Sequence, residues 1–228
     1  MTEVIPAIIA KDFDDLKNKI SFFREYTKIV QIDICDGLFV ESKSWPMQTK
    51  DTESLYSILN EEEGMPFWTE VDFEFDLMVA NAHKKFDSFL KLGAKRIVFH
   101  LEAEDENDFY DFLESLDPFT RDNLEIGLSI KTTTDIKKID RFVNLIDFVQ
   151  LMGIEKIGFQ GQEFDERVLD QLSNLKEKYQ DLTISIDGSV NENTAPLLTE
   201  KGADRLVVGS ALSQSYNVRE SINYLESL

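Results

Sequence analysis

Short runs of β-branched and aromatic residues alternate along this chain with segments whose apolar residues recur every three or four positions. In the segment 13–26, for example, Phe13, Leu16, Ile20 and Phe23 recur at helical spacing, and Asp12 precedes them as a candidate N-cap. We predict strands over residues 4–10, the first half of 30–40, 68–80, 96–101, 124–130, 145–152, 182–186 and 205–208. We predict helices over residues 13–26, 51–60, 81–92, 105–116, 134–143, 164–179 and 191–201, with a last helix ending near residue 225.

This alternation of strands and helices predicts the fold class. Because each strand is followed by a segment long enough for a helical crossover, neighbouring strands are expected to be parallel. Eight such units within 228 residues fit the usual length of a (β/α)8 TIM barrel. We therefore predict a single-domain barrel that spans residues 1–228. An open doubly wound sheet is the alternative, and it is disfavoured because no glycine fingerprint follows the first strand.

The charge balance excludes some classes of partner. The chain has 24 Lys and Arg residues against 44 Asp and Glu residues, which gives a formal net charge of −20. This charge repels nucleic acid and anionic membrane surfaces, so we expect neither as a partner. An anionic small molecule would need local backbone N–H groups, such as those of glycine-rich loops, to outweigh the overall field.

Cysteine content and the N-terminal sequence indicate a compartment. Cys35 is the single cysteine, which excludes an internal disulfide and fits a reducing environment. Residues 1–6 lack the basic-then-apolar pattern of a signal peptide, and no apolar run approaches the roughly 18 residues that span a bilayer. We therefore predict a cytoplasmic protein.

An acid interrupts the second predicted strand near its carboxyl end. Asp33 lies between Ile32 and Ile34 and is followed by the turn residues Asp36 and Gly37. Parallel sheets place ligands at the carboxyl ends of their strands, so Asp33 is a candidate functional group. The alternative is a structural acid that caps a loop or pairs with a lysine. In the third predicted strand, acids alternate with apolar residues, and such alternation normally places the acids in solvent.

Several short motifs at the predicted strand ends make the pattern specific. The first motif is formed by residues 6–9. The later ones are Ile32-Asp33-Ile34-Cys35-Asp36-Gly37, Leu77-Met78, His100-Leu101-Glu102, Gly158-Phe159-Gln160-Gly161-Gln162, Asp187-Gly188-Ser189-Val190-Asn191 and Gly209-Ser210-Ala211. In this order and spacing, the motifs resemble those of the ribulose-phosphate 3-epimerases, and the resemblance covers nearly the whole chain. It implies a TIM-barrel isomerase of carbohydrate metabolism that binds a small phosphorylated sugar and uses no organic cofactor. It also implies a homo-oligomer, since family members often self-associate.

The resemblance implies a two-aspartate mechanism. Asp33 and Asp187 correspond to the family's catalytic acids, one of which removes the proton next to the ketone of a ketose phosphate while the other returns a proton from the opposite face. The alternative is a catalytically impaired sugar-phosphate-binding or regulatory protein of the same fold. An aldol or decarboxylation catalyst is disfavoured, because such relatives carry an Asp-x-Lys-x-x-Asp motif at the end of the third strand and residues 74–81 contain no lysine.

The metal site that the resemblance implies is altered in this chain. The family binds a divalent metal through two histidines and the two catalytic aspartates, and Gln31 and Asp76 stand at the histidine positions. Together with Asp33 and Asp187 they form an oxygen-only set, which favours Mg, Mn or Ca over Zn. The alternative is that no metal binds, and the sequence leaves both open.

The resemblance also implies a group of substrate-binding residues, of which some are kept and others replaced. The residues that it assigns to covering the substrate and binding its phosphate are Met78, Met152, Gly158, Gly161, Gly188, Ser189, Gly209 and Ser210. For the two methionines, ordinary core packing is the alternative. Ile157 replaces a family proline, and Gln160 and Ser189 replace glycines. Lys156 is either a compensating charge in this loop or a solvated loop residue.

The remaining notable side chains have structural interpretations. We expect His100, at the end of the fourth strand, to be a satisfied structural group, and His83 to lie on a helix surface. Trp45 and Trp68 are expected to serve in packing.

Overall fold

A computed structural model describes residues 2–48 and 52–228 of the chain, and within them eight parallel strands form a closed barrel in chain order. The strands are β1 Glu3–Ile8, β2 Ile29–Cys35, β3 Asp72–Met78, β4 Ala94–His100, β5 Glu125–Ile130, β6 Phe148–Met152, β7 Thr183–Asp187 and β8 Arg205–Val208. The predicted (β/α)8 TIM barrel is therefore confirmed.

Helices follow the strands along the chain. The α-helices of the described residues are α1 Phe13–Phe23, α2 Thr52–Leu59, α3 Phe86–Lys91, α4 Glu106–Ser115, α5 Pro118–Asn123, α6 Arg167–Lys178, α7 Ala195–Glu200, α8 Ser210–Ser213 and α9 Val218–Glu226. Tighter 3-10 turns occupy Ala82–Lys85, Leu101–Ala103 and Ile136–Arg141. The first and the last of these lie where the sequence pattern predicted helices, over residues 81–92 and 134–143. Asp51, the first residue of the predicted helix 51–60, lies outside the described residues. No helix in the described ranges has the length and apolarity to cross a membrane.

Tertiary contacts divide the chain into two compact units. One consists of the residues up to Pro6 together with Gly127–Leu228, and the other is Ala7–Ile126. The assignment of residues 1–228 to a single domain stays a prediction, and residues 1 and 49–51 of that range are outside the described part.

In the unit Ala7–Ile126, helix α1 shows how the sequence pattern builds the outer layer. Asp12 caps it as predicted, since the backbone N–H of Asp15 donates to Asp12 Oδ1 at 2.8 Å. The buried face carries Leu16, Ile20 and Phe23. Burial of side chains of this size stabilises the fold by about 1.5–3 kcal/mol each.

Strands β2 and β3 of the same unit turn acids inward. Asp33 is level with Asp76 in the parallel register, and Gln31 is level with Glu74. The expectation that the acids of the third strand face solvent is wrong for Glu74 and Asp76, both of which are completely buried. The reason is that this strand belongs to a closed barrel, so neither face is open to water, and Glu74 is compensated by Arg96 at 3.5 Å.

In the other unit, β6 and β7 bring two predicted site residues to one level. Met152 is the register partner of Asp187, and each is the last residue of its strand. Helix α6 packs on the outside with Val168, Leu172 and Leu175 buried. These strand ends therefore define where the loops after β6 and β7 begin.

Candidate active site

The end of β2 holds an amide and an acid in contact. Side chains two residues apart on a strand share a face, so Gln31 and Asp33 point the same way. Gln31 is fully buried, and its Nε2 donates a hydrogen bond to Asp33 Oδ1 at 2.8 Å. The Gln31 amide therefore presents its N–H group, rather than a ligand oxygen, to the candidate catalytic acid.

The end of β3 holds a second acid, which is paired with a histidine. A hydrogen bond joins His100 Nε2 to the accepting Asp76 Oδ1 at 2.9 Å, and both side chains are completely shielded from solvent. The His100 ring also packs against Phe39, with ring centroids 5.4 Å apart. Within the described chain, Asp76 Oδ2 is buried and makes no hydrogen bond. His100 is thus bonded through one ring nitrogen to a buried acid, and it orients Asp76, a pairing that the sequence pattern did not indicate.

Asp187 ends β7 beside a turn that only small or permissive residues can form. Gly188 has φ of +108° and Ser189 has φ of +56°, a left-handed conformation that is costly for most side chains. Ser189 is held there because its carbonyl accepts hydrogen bonds from Thr194 Oγ1 at 2.7 Å and Asn191 Nδ2 at 2.9 Å. Ser189 therefore holds a backbone conformation that glycine adopts without strain.

The predicted acids converge. Asp33, Asp76 and Asp187 each offer a carboxylate oxygen, and these oxygens all lie within 4.8 Å of one another. Three like charges this close repel strongly, and a cation or a shared proton relieves the repulsion. Together with the buried Oδ2 of Asp76, the set fits a hard divalent cation that prefers oxygen ligands.

Cys35 does not add a soft ligand to this cluster. It is completely buried at the end of β2, and burial, together with the nearby charges of Asp33 and Asp76, raises the pKa of its thiol to about 12. Its sulfur is not part of the cluster of converging ligand atoms found among the described residues. The converging ligand atoms in this part of the chain are carboxylate oxygens.

The predicted phosphate-binding glycines lie in the loops after β6, β7 and β8. Gly158 and Gly161 have positive φ values of 85° and 73°, conformations in which loop N–H groups can face outward together. The Gln160 side chain lies across Gly209, since a Cβ atom added at Gly209 would sit 2.6 Å from Gln160 Nε2. Lys156 Nζ lies 4.9 Å from the centroid of the Phe159 ring in the same loop.

One acid anchors the loop that follows β6. Asp165 accepts hydrogen bonds from Thr132 Oγ1 at 2.6 Å and from Arg167 Nη2 at 2.6 Å, and its own N–H donates to the carbonyl of Gly153 at 2.8 Å. The Arg167 guanidinium and the Thr132 hydroxyl lower the pKa of Asp165 to about 2. The sequence did not indicate Asp165 as an anchor, because Thr132, which it ties to the loop, lies 33 residues away.

A cavity of about 810 Å³ adjoins the same loops. Three of the predicted phosphate-binding residues, Gly161, Ser189 and Ser210, line it, as do Tyr216 and residues of α9. Met78 and Met152 are buried at the ends of β3 and β6, a position that suits both core packing and contact with a ligand.

Two expectations about individual side chains are wrong. His83 is buried rather than on a helix surface, and its Nδ1 is hydrogen-bonded to Glu104, a carboxyl group whose pKa is raised by burial. Trp68 is 64% exposed, whereas Trp45 is buried as expected. Periodicity does not reveal the pairing of His83 with Glu104, because Glu104 lies 21 residues further along the chain.

Comparison with known proteins indicates the family to which the chain is similar. The model of the Ribulose-phosphate 3 epimerase family matches residues 3–213. The chain is 28% identical over 230 residues to ribulose-phosphate 3-epimerase of Bacillus subtilis (98% of this chain, 97% of the relative), and 25% identical over 227 residues to that of Schizosaccharomyces pombe (99% and 92%). A crystal structure of 3-hexulose-6-phosphate synthase from Salmonella typhimurium superposes with a TM-score of 0.68 at 11% identity, covering 99% of this chain and 97% of that one. This last likeness concerns the fold alone.

Proposed function

Because the chain belongs to the ribulose-phosphate 3-epimerase family, we propose that it inverts the carbon next to the ketone of a ketose phosphate, with Asp33 and Asp187 as the two proton-transfer groups. An epimerase-like activity is what the family match and the curated relatives support. A small phosphorylated sugar is the corresponding partner.

The observation that carries the residue assignment is the convergence of strand-end acids from β2, β3 and β7. One carboxylate removes the proton and leaves an enediolate, and a second carboxyl group, holding a proton, delivers it to the other face. Gln31 positions Asp33 through its 2.8 Å hydrogen bond, and His100 positions Asp76. The reaction needs no organic cofactor, because the substrate ketone itself accepts the electron pair.

We assign the metal-holding role to Asp33, Asp76 and Asp187. Bound there, a divalent cation would supply Lewis-acid polarisation of the substrate's oxygens. Gln31 is the weakest of the four predicted ligands, since its amide N–H is directed at Asp33. A cytoplasmic location and a homo-oligomeric state stay predictions.

Solvent deuterium uptake tests the proposed reaction. Incorporation at the carbon next to the ketone, followed by NMR, is expected with a ketopentose phosphate in the presence of Mn²⁺ or Mg²⁺. Asp33→Asn and Asp187→Asn should each slow exchange by about 10²–10⁴-fold, the usual contribution of a general acid or base. Asp72→Asn, at the exposed start of β3, is the matched control. Failure of exchange with every ketose phosphate tried, with and without metal, would overturn the proposal.

A second function is favoured by one observation, the Gln160 side chain that lies across Gly209 in the proposed phosphate loops. It suits a sugar-phosphate-binding or regulatory protein that does not turn its ligand over. Thermal stabilisation by a ketose phosphate without deuterium exchange distinguishes this function from the first.

A further inference from the structure

The cavity beside the loops after β6, β7 and β8 lies wholly within the unit Gly127–Leu228. Its volume, about 810 Å³, is in the range of sites that hold drug-sized ligands, roughly 300–1,000 Å³. Gly161, Ser189 and Ser210 line one part of it, and Tyr216 and Tyr224 line another. The cavity therefore extends from the proposed phosphate loops to helix α9.

The lining of this cavity is polar but offers no cation. The described residues that line it include the amides of Gln162, Asn193 and Gln214 and the acids Glu192 and Glu220, with no Lys or Arg among them. In a protein of net charge −20, such a surface disfavours a second anionic group. Hydroxyl groups both donate and accept hydrogen bonds, so a mixed lining of amides, hydroxyls and carboxylates suits a neutral, hydroxyl-rich group.

Several of these side chains have hydrogen-bonding capacity to spare. Asn191 and Asn217 are engaged in capping the turns and helix that follow them. In contrast, the side chains of Gln162, Gln214 and Tyr216 make no hydrogen bond to any other described residue, although all three line the cavity. Tyr216 is fully exposed, so its ring is available as an apolar platform.

On the basis of the proposed function, we propose that the substrate is a phosphodiester, in which the phosphate joins the reacting ketose to a neutral, hydroxyl-rich group held in this cavity. Ser189 lines the cavity and is only two residues from Asp187, which does not line it. A phosphate held at Ser189 would therefore lie close in the chain to the proton-transfer group Asp187 and would also border the cavity. A diester carries a single negative charge, against about −1.5 to −2 for a monoester, which suits loops without a lining cation.

The test compares ribulose 5-phosphate with its glucosyl phosphodiester in the deuterium-exchange assay, using the full chain with Mn²⁺. The ratio of kcat/KM for the diester to that for the monoester should be roughly tenfold or more, within the range that added pocket contacts provide. Tyr216→Ala combined with Tyr224→Ala should bring the ratio close to one. Tyr56→Ala, an exposed tyrosine on α2, is the matched control and should keep the original ratio.

Two outcomes would overturn the inference: a wild-type ratio of one or less, or a ratio that the double variant does not change. Exchange of neither ester would refute the proposed function instead, and calorimetric binding of the diester would then decide the inference. Binding that depends on the two tyrosines would uphold it, and the absence of binding would refute it. Tighter binding of a nucleosyl diester, or equal binding of free glucose, would contradict a phosphate-linked, hydroxyl-rich group.

Discussion

The polar side chains of the barrel interior and those of the loops after β6, β7 and β8 find their hydrogen-bond partners in different ways. In the barrel interior, Gln31 donates to Asp33 and His100 pairs with Asp76, with all four side chains buried. Each of these side chains has a polar neighbour, which offsets part of the roughly 1–3 kcal/mol that an unsatisfied buried polar group costs.

The loops after β6, β7 and β8 follow another rule. There, Gln160 and Gln162 are exposed or half-exposed, and the Gln162 side chain makes no hydrogen bond to a described residue. Water satisfies such groups at little cost, so the side chains of these loops are free to respond to a ligand. The interior is therefore where stability limits change, and the loops are where specificity can vary.

The largest expected effect comes from breaking an interior pair. His100→Ala leaves Asp76 as a buried carboxylate without its partner and opens a cavity beside Phe39, so the free energy of unfolding should fall by about 3–5 kcal/mol. Urea denaturation measures this change. Gln162→Ala, in the loop after β6, should change stability by less than about 0.5 kcal/mol. Similar losses in both variants would break the contrast between the regions.

The second effect concerns the converging acids. If Asp33, Asp76 and Asp187 hold a divalent cation, Mn²⁺ at one hundred times its dissociation constant should raise the free energy of unfolding by about 2.7 kcal/mol. Asp76→Ala should abolish this increase, whereas Asp72→Ala, on the exposed end of the same strand, should retain it. The same Mn²⁺ dependence in all three proteins would place the ion elsewhere.

The sequence predicted the barrel because strand and helix periods are local properties. It made Asp33 a candidate because parallel strands end at ligand sites, whereas Asp187 came from the family resemblance alone. It failed where the outcome depends on distant partners. The alternation in β3 suggested acids in solvent, yet closure of the barrel turns Asp76 toward His100, 24 residues away. No local pattern places Gln160 across Gly209 either, because the loop after β6 must first fold over the end of β8.

A smaller, pH-dependent effect is expected at the anchor of the loop after β6. The folded protein lowers the pKa of Asp165 from 3.8 to about 2, so the ionised carboxyl stabilises the fold above pH 4, and this contribution is lost as the pH falls toward 2. Because Arg167 is half exposed and solvent screens the pair, the contribution should be about 1 kcal/mol.

Urea denaturation of wild type and Asp165→Asn at pH 6 and pH 3 measures this contribution. The difference between the two proteins should shrink at the lower pH. Asp170→Asn, at an exposed position of α6, is the control, and its free energy of unfolding should differ from that of the wild type by less than about 0.5 kcal/mol. An Asp165→Asn difference that is independent of pH would contradict an ionised anchor.

The smallest effect, at Gln160, separates a loop that tunes ligand binding from one that only covers the barrel. The Gln160 amide lies against Gly209, so an anion approaching that backbone must displace it, at a cost of about 0.5–1.5 kcal/mol for an immobilised side chain. Gln160→Gly should therefore lower the KM for a ketose monophosphate by about 2–10-fold with little change in kcat. Glu163→Gly, three residues on in the same loop and exposed, carries the same gain in backbone freedom and should leave KM unchanged. A higher KM in Gln160→Gly would instead mean that the amide donates to the phosphate and that the loop gains affinity, rather than loses it, through this glutamine.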